Sequence, residues 1–224
     1  MNMLRGALAA LVTGVCTVLV VLAVSILPFL NPVWVSFEQG RAQAQAWTGF
    51  SEQTLAIVTN EILADLVLGP PDFDVTLDGA PVLNERERSH MRDVRAVFML
   101  LYEAAAAAAV ILVVLAFAAR ATGPLARAAL WRRLRGTGTA IAAVTVVGGA
   151  LAIPFFDTAF ELFHRTFFPS GTYLFDPRTE RLVQLFPEKF WVDTAIAVGI
   201  TAIVLGLVLR RVGGSRAALA ERGR

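Results

Sequence analysis

Two histidines are the side chains in this sequence best suited to proton transfer, and the chain contains no others. Imidazole exchanges a proton near neutral pH, and a carboxylate on its second nitrogen would set its tautomer. Asp93 follows His90 by three residues, and Glu161 precedes His164 by three. A lone histidine is more often a structural, hydrogen-bonded residue than a catalytic one. Because the two histidines here are similarly placed, the catalytic and the structural interpretations are about equally supported.

Other chemistries have weaker support. His90, His164 and two carboxylates could form a zinc-like set, but no ligand pair has a metal-site spacing such as two histidines with three residues between them. Ser89 does not share a helix face with its neighbour His90, and no glycine-rich phosphate-binding loop is present. The single cysteine, Cys16, excludes an internal disulfide and a cysteine-based zinc site. We expect neither a metal nor a cofactor.

The segments around the histidines adjoin apolar runs that are long enough to cross a membrane. Of the 224 residues, 56% are hydrophobic and 17% are charged, whereas soluble domains are about 45–50% apolar and about 25% charged. Four runs approach or exceed the length of about 20 residues that a crossing helix requires, namely residues 6–30, 96–119, 139–156 and 191–210. The first is too long for a signal peptide, so we expect a retained anchor. Gly148-Gly149 in the third favours close helix packing.

Charge is sorted between the connecting segments, which are loop 31–94, loop 120–138, loop 157–190 and tail 211–224. With the residues that flank these segments included, the N terminus, 120–138 and 210–224 carry eleven basic groups and one acid, and 31–95 and 157–193 carry nine basic groups and sixteen acids. Because Lys and Arg concentrate on the cytoplasmic side, we expect cytoplasmic termini and extracytoplasmic long loops in a cell membrane. The arginines suit anionic lipid head groups, so the pI of 9.2 requires no nucleic acid partner.

The first long loop predicts two helices and a hairpin. Ser51 caps a helix whose apolar residues have helical spacing, Leu55, Val58, Ile62 and Leu66. The Asp-Gly pair at 78–79, between short apolar runs, is typical of a tight hairpin. Asn84 and Glu87 form a capping box that opens a second helix. No helix breaker follows, so we expect the helix that carries His90 to continue into the second crossing.

The second long loop predicts an amphipathic helix over 154–169, which would lie in the lipid head-group plane. One stripe of this helix is aromatic, with Phe156, Phe160, Phe163 and Phe167, and another is polar, with Asp157, Glu161 and His164. A turn at Ser170-Gly171 precedes two predicted strands, 172–175 and 181–186. The predicted fold is an all-α membrane protein of four transmembrane helices with a small extracytoplasmic α+β cap formed by the two long loops.

Glu103 interrupts the second crossing. An ionisable group within a bilayer is costly and normally faces a partner or water. At helical spacing Arg92, Arg95 and Tyr102 fall near the stripe of Glu103. Glu103 could form a structural ion pair with an arginine, or it could be a functional acid. The sequence leaves both interpretations open.

Four short segments resemble signature stretches of the Lit-type integral membrane family, which contains the bacterial lipoprotein intramolecular transacylases. They are His90-Met91-Arg92-Asp93-Val94, Phe163-His164-Arg165-Thr166-Phe167-Phe168, Phe175-Asp176-Pro177 and Leu185-Phe186-Pro187-Glu188-Lys189-Phe190. These segments have the family's order and spacing. The layout of four crossings, two long outer loops and one histidine in each loop is also similar.

The resemblance implies a specific reaction. Such enzymes move the sn-2 acyl chain of a diacylglyceryl-cysteine onto the α-amino group of that cysteine, so the implied partners are membrane lipid and a diacylglyceryl lipoprotein. The histidines thought to be essential in the family correspond to His90 and His164, without an assignment of base and donor. Candidates for orienting or supporting them are Asp93, Arg92, Glu161, Arg165 and Glu103.

Two other functions stay open on the sequence. A non-catalytic membrane accessory protein could bind lipid or lipoprotein with its aromatic loops and would need no contact between the histidines. A metal-dependent hydrolase of the outer leaflet would need a bound metal. Histidines that face one lipid-accessible cleft favour the acyltransferase.

Overall fold

A computed structural model describes residues 2–168 and 171–222, and these residues are predominantly helical. The helices are α1 (Asn2–Ile26), α2 (Pro32–Arg41), α3 (Ala44–Thr48), α4 (Glu52–Val67), α5 (Glu85–Thr122), α6 (Pro124–Ala152), α7 (Phe156–Phe167), α8 (Arg181–Leu185) and α9 (Glu188–Arg222). Short 3₁₀ turns, Leu27–Phe29 and Ile153–Phe155, and the strands β1 (Thr76–Leu77) and β2 (Ala80–Pro81) complete the described elements. Four helices are long and apolar enough to cross a membrane, and each contains or overlaps one predicted crossing.

The chain divides into two compact units. The bundle unit comprises Met1–Ile26, Leu101–Ala150 and Val198–Arg224. The cap unit comprises Leu27–Leu100 and Leu151–Ala197. Both histidines belong to the cap unit, so its packing positions the candidate chemistry.

Glycine lets α6 and α9 approach closely in the bundle unit. A Cβ atom added at Gly138 would lie 2.5 Å from the carbonyl oxygen of Gly206, and one added at Gly206 would lie 2.7 Å from the carbonyl oxygen of Gly138. Small residues at such crossings let helix backbones pack in the absence of a hydrophobic driving force. The glycine pair 148–149, where close packing was expected, has nothing within 4 Å of either added Cβ. That expectation was wrong, because the contact lies ten residues earlier on the helix.

The buried hydroxyl groups of α1 are satisfied within the helix itself. Thr13 Oγ1 donates to the carbonyl of Ala9 at 2.6 Å, and Thr17 Oγ1 donates to that of Thr13 at 2.7 Å. Ser25 Oγ makes the same bond four residues back, at 2.7 Å. Polar side chains are tolerated among apolar helices when their donors find such partners.

An apolar core holds the cap unit together. The four positions predicted from helical spacing on α4 are all buried, and Ser51 Oγ accepts the amide of Thr54 at 3.1 Å, as expected for the helix cap. Phe73 and Leu185 are fully buried in the same core. The core therefore joins α4 to the hairpin segment, the start of α5 and α8.

The strands predicted in the two long loops have different outcomes. In the first loop the predicted hairpin forms, and strands β1 and β2 pair antiparallel with Thr76 opposite Pro81. In the second loop the two predicted strands are wrong, because residues 172–175 form no strand and Arg181–Leu185 form α8. A carboxylate oxygen of Glu87 accepts the amide of Leu182 at 2.6 Å, which satisfies a first-turn donor of that short helix. Ser170 of the predicted turn lies outside the described residues.

Glu38 on α2 is completely buried beside a small charge cluster. Its Oε1 lies 3.7 Å from Arg41 Nη1, and Arg41 also pairs with Asp193 at 3.1 Å. Lys189 Nζ donates to the same Asp193 carboxylate at 2.7 Å. Burial raises the pKa of the Glu38 carboxyl, and the nearby negative charge of Asp193 raises it further, whereas Arg41 opposes both effects.

Replacing Glu38 by glutamine should therefore stabilise the protein near neutral pH. With a raised pKa, the folded chain binds the Glu38 proton more tightly than the unfolded chain, so stability falls as pH rises above the ordinary glutamate value of 4.5. Glu38→Gln removes this loss, and thermal unfolding in detergent should show a melting temperature a few degrees above wild type near pH 7.

The two melting temperatures should converge at a pH below 4.5, where Glu38 is protonated in both states. Glu61→Gln, on the exposed face of α4, is the matched control and should match wild type throughout. A Glu38→Gln variant that is less stable than wild type near pH 7 would mean that attraction to Arg41 outweighs burial.

Candidate active site

His90 is held at the start of α5 by the capping box predicted from the sequence. The Asn84 amide donates to Glu87 Oε2 at 2.7 Å, and the Glu87 amide donates to Asn84 Oδ1 at 3.0 Å. The other Glu87 oxygen accepts the Leu182 amide, so the same carboxylate ties α5 to α8. His90 follows Glu87 by three residues and lies near the same face of the helix.

His164 is oriented by its own helix, α7. Its Nδ1 lies 2.7 Å from the carbonyl oxygen of Phe160, one turn earlier. A carbonyl oxygen only accepts, so Nδ1 carries the proton in this hydrogen bond. In the neutral ring Nε2 then keeps its lone pair, which makes Nε2 the atom able to accept a proton.

The two histidine rings meet face to face. Their centroids are 5.8 Å apart, and their planes make an angle of 27°. His90 is 5% exposed and His164 is 8% exposed. His90 Nδ1 is buried and has no hydrogen-bond partner among residues 2–168 and 171–222. A buried polar atom without a partner is uncommon and requires an explanation such as a functional role.

Aromatic rings surround this pair on several sides. His90 contacts Phe168 and Phe175 at centroid distances of 4.8 and 5.5 Å, and His164 contacts Phe160, Tyr173 and Phe163 at 4.0, 5.0 and 5.4 Å. Rings packed at these distances exclude water and lower the local dielectric. Such surroundings strengthen interactions with charge that develops during a reaction. We refer to the two histidines and these five rings as the histidine cage.

The charged side chains of Glu161, Arg165 and Arg92, which were expected to support the histidines, pair with other residues instead. Glu161 pairs with Arg165 at 2.6 Å on the exposed side of α7, and His164 Nδ1 is bound to a backbone carbonyl instead. Arg92 pairs with Glu85 at 2.6 Å. The expected carboxylate–histidine bonds are therefore absent from the described part of the chain. The carbonyl of Phe160 lies one turn before His164 on the same helix, so this hydrogen bond requires no contact with a distant segment.

Asp93 and Glu103 differ in their surroundings. Asp93 is half-buried, and its Oδ2 accepts a hydrogen bond from Thr172 Oγ1 at 3.4 Å. Glu103 is exposed on α5 in the bundle unit. No hydrogen bond or ion pair involves Glu103 within the described ranges, so the suggested pair with an arginine is not formed there. Arg95 instead donates to the backbone carbonyl of Asp65.

The donor set does not resemble a metal site. Among the described residues there is no group of three or more His, Cys, Asp or Glu side chains that could hold an ion. The residues that sequence reasoning missed are aromatic. Phe168 belonged to the predicted helix 154–169, and Tyr173 and Phe175 belonged to the predicted strand 172–175, but neither pattern indicated that these rings would pack around the histidines.

Removing the Glu87 carboxylate should destabilise the cap unit. Glu87→Ala leaves the amides of Asn84 and Leu182 without their acceptors, and the buried donor of Leu182 alone costs about 1–3 kcal/mol when it is unsatisfied. We expect faster hydrogen exchange at the Leu182 amide and a lower melting temperature. Glu85→Ala, at a position whose side chain is 72% exposed, is the control. Equal exchange in the two variants would contradict an anchoring role for Glu87.

Comparisons with known proteins point to one family. The family model for the lipoprotein intramolecular transacylase Lit matches residues 11–191. A solved structure of Lit from Bacillus cereus has a TM-score of 0.72 and 15% identity, and the likeness covers 98% of this chain and 99% of that one. A Bacillus cereus Lit variant with one histidine replaced by arginine has a TM-score of 0.76, also at 15% identity, over 100% and 96% of the chains. These likenesses show a shared fold.

A relative in Aquifex aeolicus, an uncharacterised protein, is 24% identical over 132 residues. The match spans 59% of this chain and 56% of the Aquifex protein. The four long apolar helices, the membrane-integral structures of the same fold and the family match agree on a multi-pass membrane protein. The matched region includes both His90 and His164, and the chain belongs to the Lit family, described as lipoprotein intramolecular transacylases.

Proposed function

We propose that this protein is an intramolecular acyltransferase that acts on lipoproteins. It transfers the sn-2 acyl chain of a diacylglyceryl-cysteine to the α-amino group of that cysteine. The observation that carries this proposal is the contact between His90 and His164, the two histidines of the chain, inside the histidine cage. A non-catalytic accessory protein would not require the two rings to meet.

His164 is the general base in this proposal. Its Nδ1–H bond to the Phe160 carbonyl leaves Nε2 as the proton acceptor. The amine nitrogen attacks the sn-2 ester carbonyl carbon while Nε2 takes a proton from it. The new N–C bond and the ester C–O bond coexist in a tetrahedral intermediate, and the C–O bond then breaks. The proton passes from His164 to the glycerol oxygen, which leaves as a hydroxyl group.

His90 is the oxyanion donor in this proposal. Its Nδ1 has no partner in the described part of the chain, so the Nδ1–H tautomer can donate to the oxygen of the tetrahedral intermediate. The surrounding rings of Phe168 and Phe175 increase the strength of that interaction by excluding water. Because the rings also bury the histidines, substrate entry requires some aromatic side chains to move.

The reaction needs no further nucleophile and no cofactor in this proposal. The amine and the ester belong to the same substrate molecule, so their proximity supplies a high effective concentration. The cage provides a base and a hydrogen-bond donor, and the substrate provides both reacting groups.

We also propose that the cap unit faces the extracytoplasmic side, with both termini in the cytoplasm. The excess of arginine in loop 120–138 and in both terminal segments supports this orientation. Phe163 and Phe167 are each about half exposed on α7, which suits contact with lipid at the membrane surface. A diacylglyceryl lipoprotein tethered in the outer leaflet would present its modified cysteine at that level.

Mass spectrometry of a lipoprotein N terminus in a bacterial strain without its own N-acylating enzyme tests this proposal. Expression of the wild-type chain should convert the diacylglyceryl form to an N-acylated form with one acyl chain left on glycerol. Expression of His90→Ala or His164→Ala at equal levels should leave the diacylglyceryl form unchanged. An unchanged lipoprotein with the wild-type chain would refute the transacylase proposal.

A further inference from the structure

Asp93 lies on the same helix as His90 and has no role in the proposed reaction. It follows His90 by three residues on α5, so the two side chains lie near the same helix face, about 4.5 Å apart along the axis. Its Oδ2 accepts a long hydrogen bond, 3.4 Å, from Thr172 Oγ1. Thr172 immediately precedes Tyr173, whose ring contacts that of His164. Asp93 therefore shares a helix with His90 and is hydrogen-bonded to the residue that precedes Tyr173, a ring neighbour of His164.

The positive charges close to Asp93 in sequence are engaged elsewhere. Arg92 pairs with Glu85, and Arg95 donates to the carbonyl oxygen of Asp65. Across residues 2–168 and 171–222, no ion pair involves Asp93. The hydroxyl of Thr172 supplies only one long hydrogen bond to this half-buried carboxylate, so the oxygens of Asp93 can accept further hydrogen bonds.

His90 provides the second observation at this position. Its buried Nδ1 has no partner in the described residues and is the oxyanion donor of the proposed function. A substrate ester that reaches this atom therefore brings its amino group to within about one helical turn of the Asp93 carboxylate, a negatively charged hydrogen-bond acceptor. A group that carries several N–H donors and a positive charge would complement Asp93.

We propose that Asp93 is the binding site for the α-ammonium group of the lipoprotein cysteine, an inference that rests on the proposed function. The carboxylate holds the amino group beside the histidine pair by a charge-assisted hydrogen bond. The bound ammonium group first loses one proton to water, and His164 Nε2 takes a second proton from the resulting amine as its nitrogen attacks the ester, as in the proposed function. Once the amine is acylated it becomes a neutral amide, so the attraction to Asp93 is lost and product release is favoured.

Binding without turnover tests this inference separately from the reaction. The probes are a diacylglyceryl-cysteinyl peptide with a free amino group and the same peptide with an N-acetyl group. Both are titrated against the His164→Ala protein, which keeps Asp93 and lacks the base. We expect the free amine to bind about tenfold more tightly, as one charge-assisted hydrogen bond allows. Adding Asp93→Asn should abolish this preference and leave binding of the acetylated peptide unchanged.

Two further variants separate recognition from structure. Asp93→Glu keeps the charge and should retain most of the preference for the free amine. Asp157→Asn removes one exposed charge from α7 and should retain all of it. Equal binding of the two peptides by the parent protein, or a preference that survives Asp93→Asn, would overturn the inference. Equal weakening of both peptides by Asp93→Asn would also overturn it, since that indicates a structural role.

The outcome is independent of whether the transfer reaction occurs. A free-amine preference that depends on Asp93 in a chain with no transfer activity would refute the proposed function and support the ammonium site. Normal transfer activity together with no such preference would support the function and refute the site.

Discussion

His164→Ala is expected to lower the rate of N-acyl transfer by about 10²–10⁴-fold, the usual contribution of a positioned general base. The variant removes Nε2, the atom left as proton acceptor by the bond between Nδ1 and the Phe160 carbonyl. His90→Ala should lower the rate by about 10²–10³-fold, because the oxyanion loses one donor. The measurement is the rate of N-acylation of a synthetic diacylglyceryl-cysteinyl peptide by purified protein in detergent.

Thr166→Ala is the control for the histidine variants. Thr166 is exposed two residues after His164, and its hydroxyl donates to the Leu162 carbonyl at 2.7 Å on the same helix. It should keep nearly the wild-type rate. If both histidine variants keep more than a tenth of the wild-type rate with unchanged melting temperatures, the histidine pair is not the catalytic apparatus.

Gly138→Ala should strongly destabilise the protein. Its Cβ would lie 2.5 Å from the Gly206 carbonyl oxygen and 3.0 Å from the Arg210 amide nitrogen. Both atoms belong to the backbone of α9, so α6 and α9 must move apart and lose packing along their contact. Overpacking of this kind costs about 1–3 kcal/mol or more. Thermal unfolding in detergent should show a clearly lower melting temperature.

Gly148→Ala is the matched control on the same helix. Nothing lies within 4 Å of its added Cβ, and alanine is favoured over glycine in helices by up to about 1 kcal/mol. This variant should be as stable as wild type or slightly more stable. Equal effects of the two substitutions would contradict the close contact between α6 and α9.

Local signals in the sequence predicted much of the fold. Each long apolar run became part of a helix, and the cap at Ser51 formed as its sequence indicated. The capping box of Asn84 and Glu87 also formed as predicted. These features depend on residues a few positions apart, so a single sequence contains the information needed.

Features that depend on distant partners were missed. The residues of α8 have strand-like composition, but a carboxylate from Glu87, nearly a hundred positions earlier, satisfies a donor at the start of that helix. Gly138 is in close contact because the backbone of α9 lies against it, whereas the glycine pair at 148–149 has no such neighbour. Periodicity cannot distinguish these cases, because it contains no information about which helix faces which.

The candidate site was predicted in part. The sequence identified His90 and His164, and the structure brings their rings to 5.8 Å. The groups that hold the histidines were not predicted, because the spacing favoured carboxylates, whereas Glu161 pairs with Arg165 on the exposed side of α7. A charged pair on an exposed helix face avoids the desolvation that a buried carboxylate–histidine bond would require.

A crossover experiment determines whether the acyl chain is transferred within one lipoprotein molecule. Two diacylglyceryl-cysteinyl peptides are mixed with the purified protein, one carrying isotopic label in both its sn-2 acyl chain and its peptide, and the other unlabelled. Mass spectrometry then reads the pairing of acyl chain and peptide in the N-acylated product. Transfer within one molecule predicts only doubly labelled and unlabelled products. Products that combine a labelled chain with an unlabelled peptide, or the absence of any N-acylated product, would contradict intramolecular transacylation by this protein.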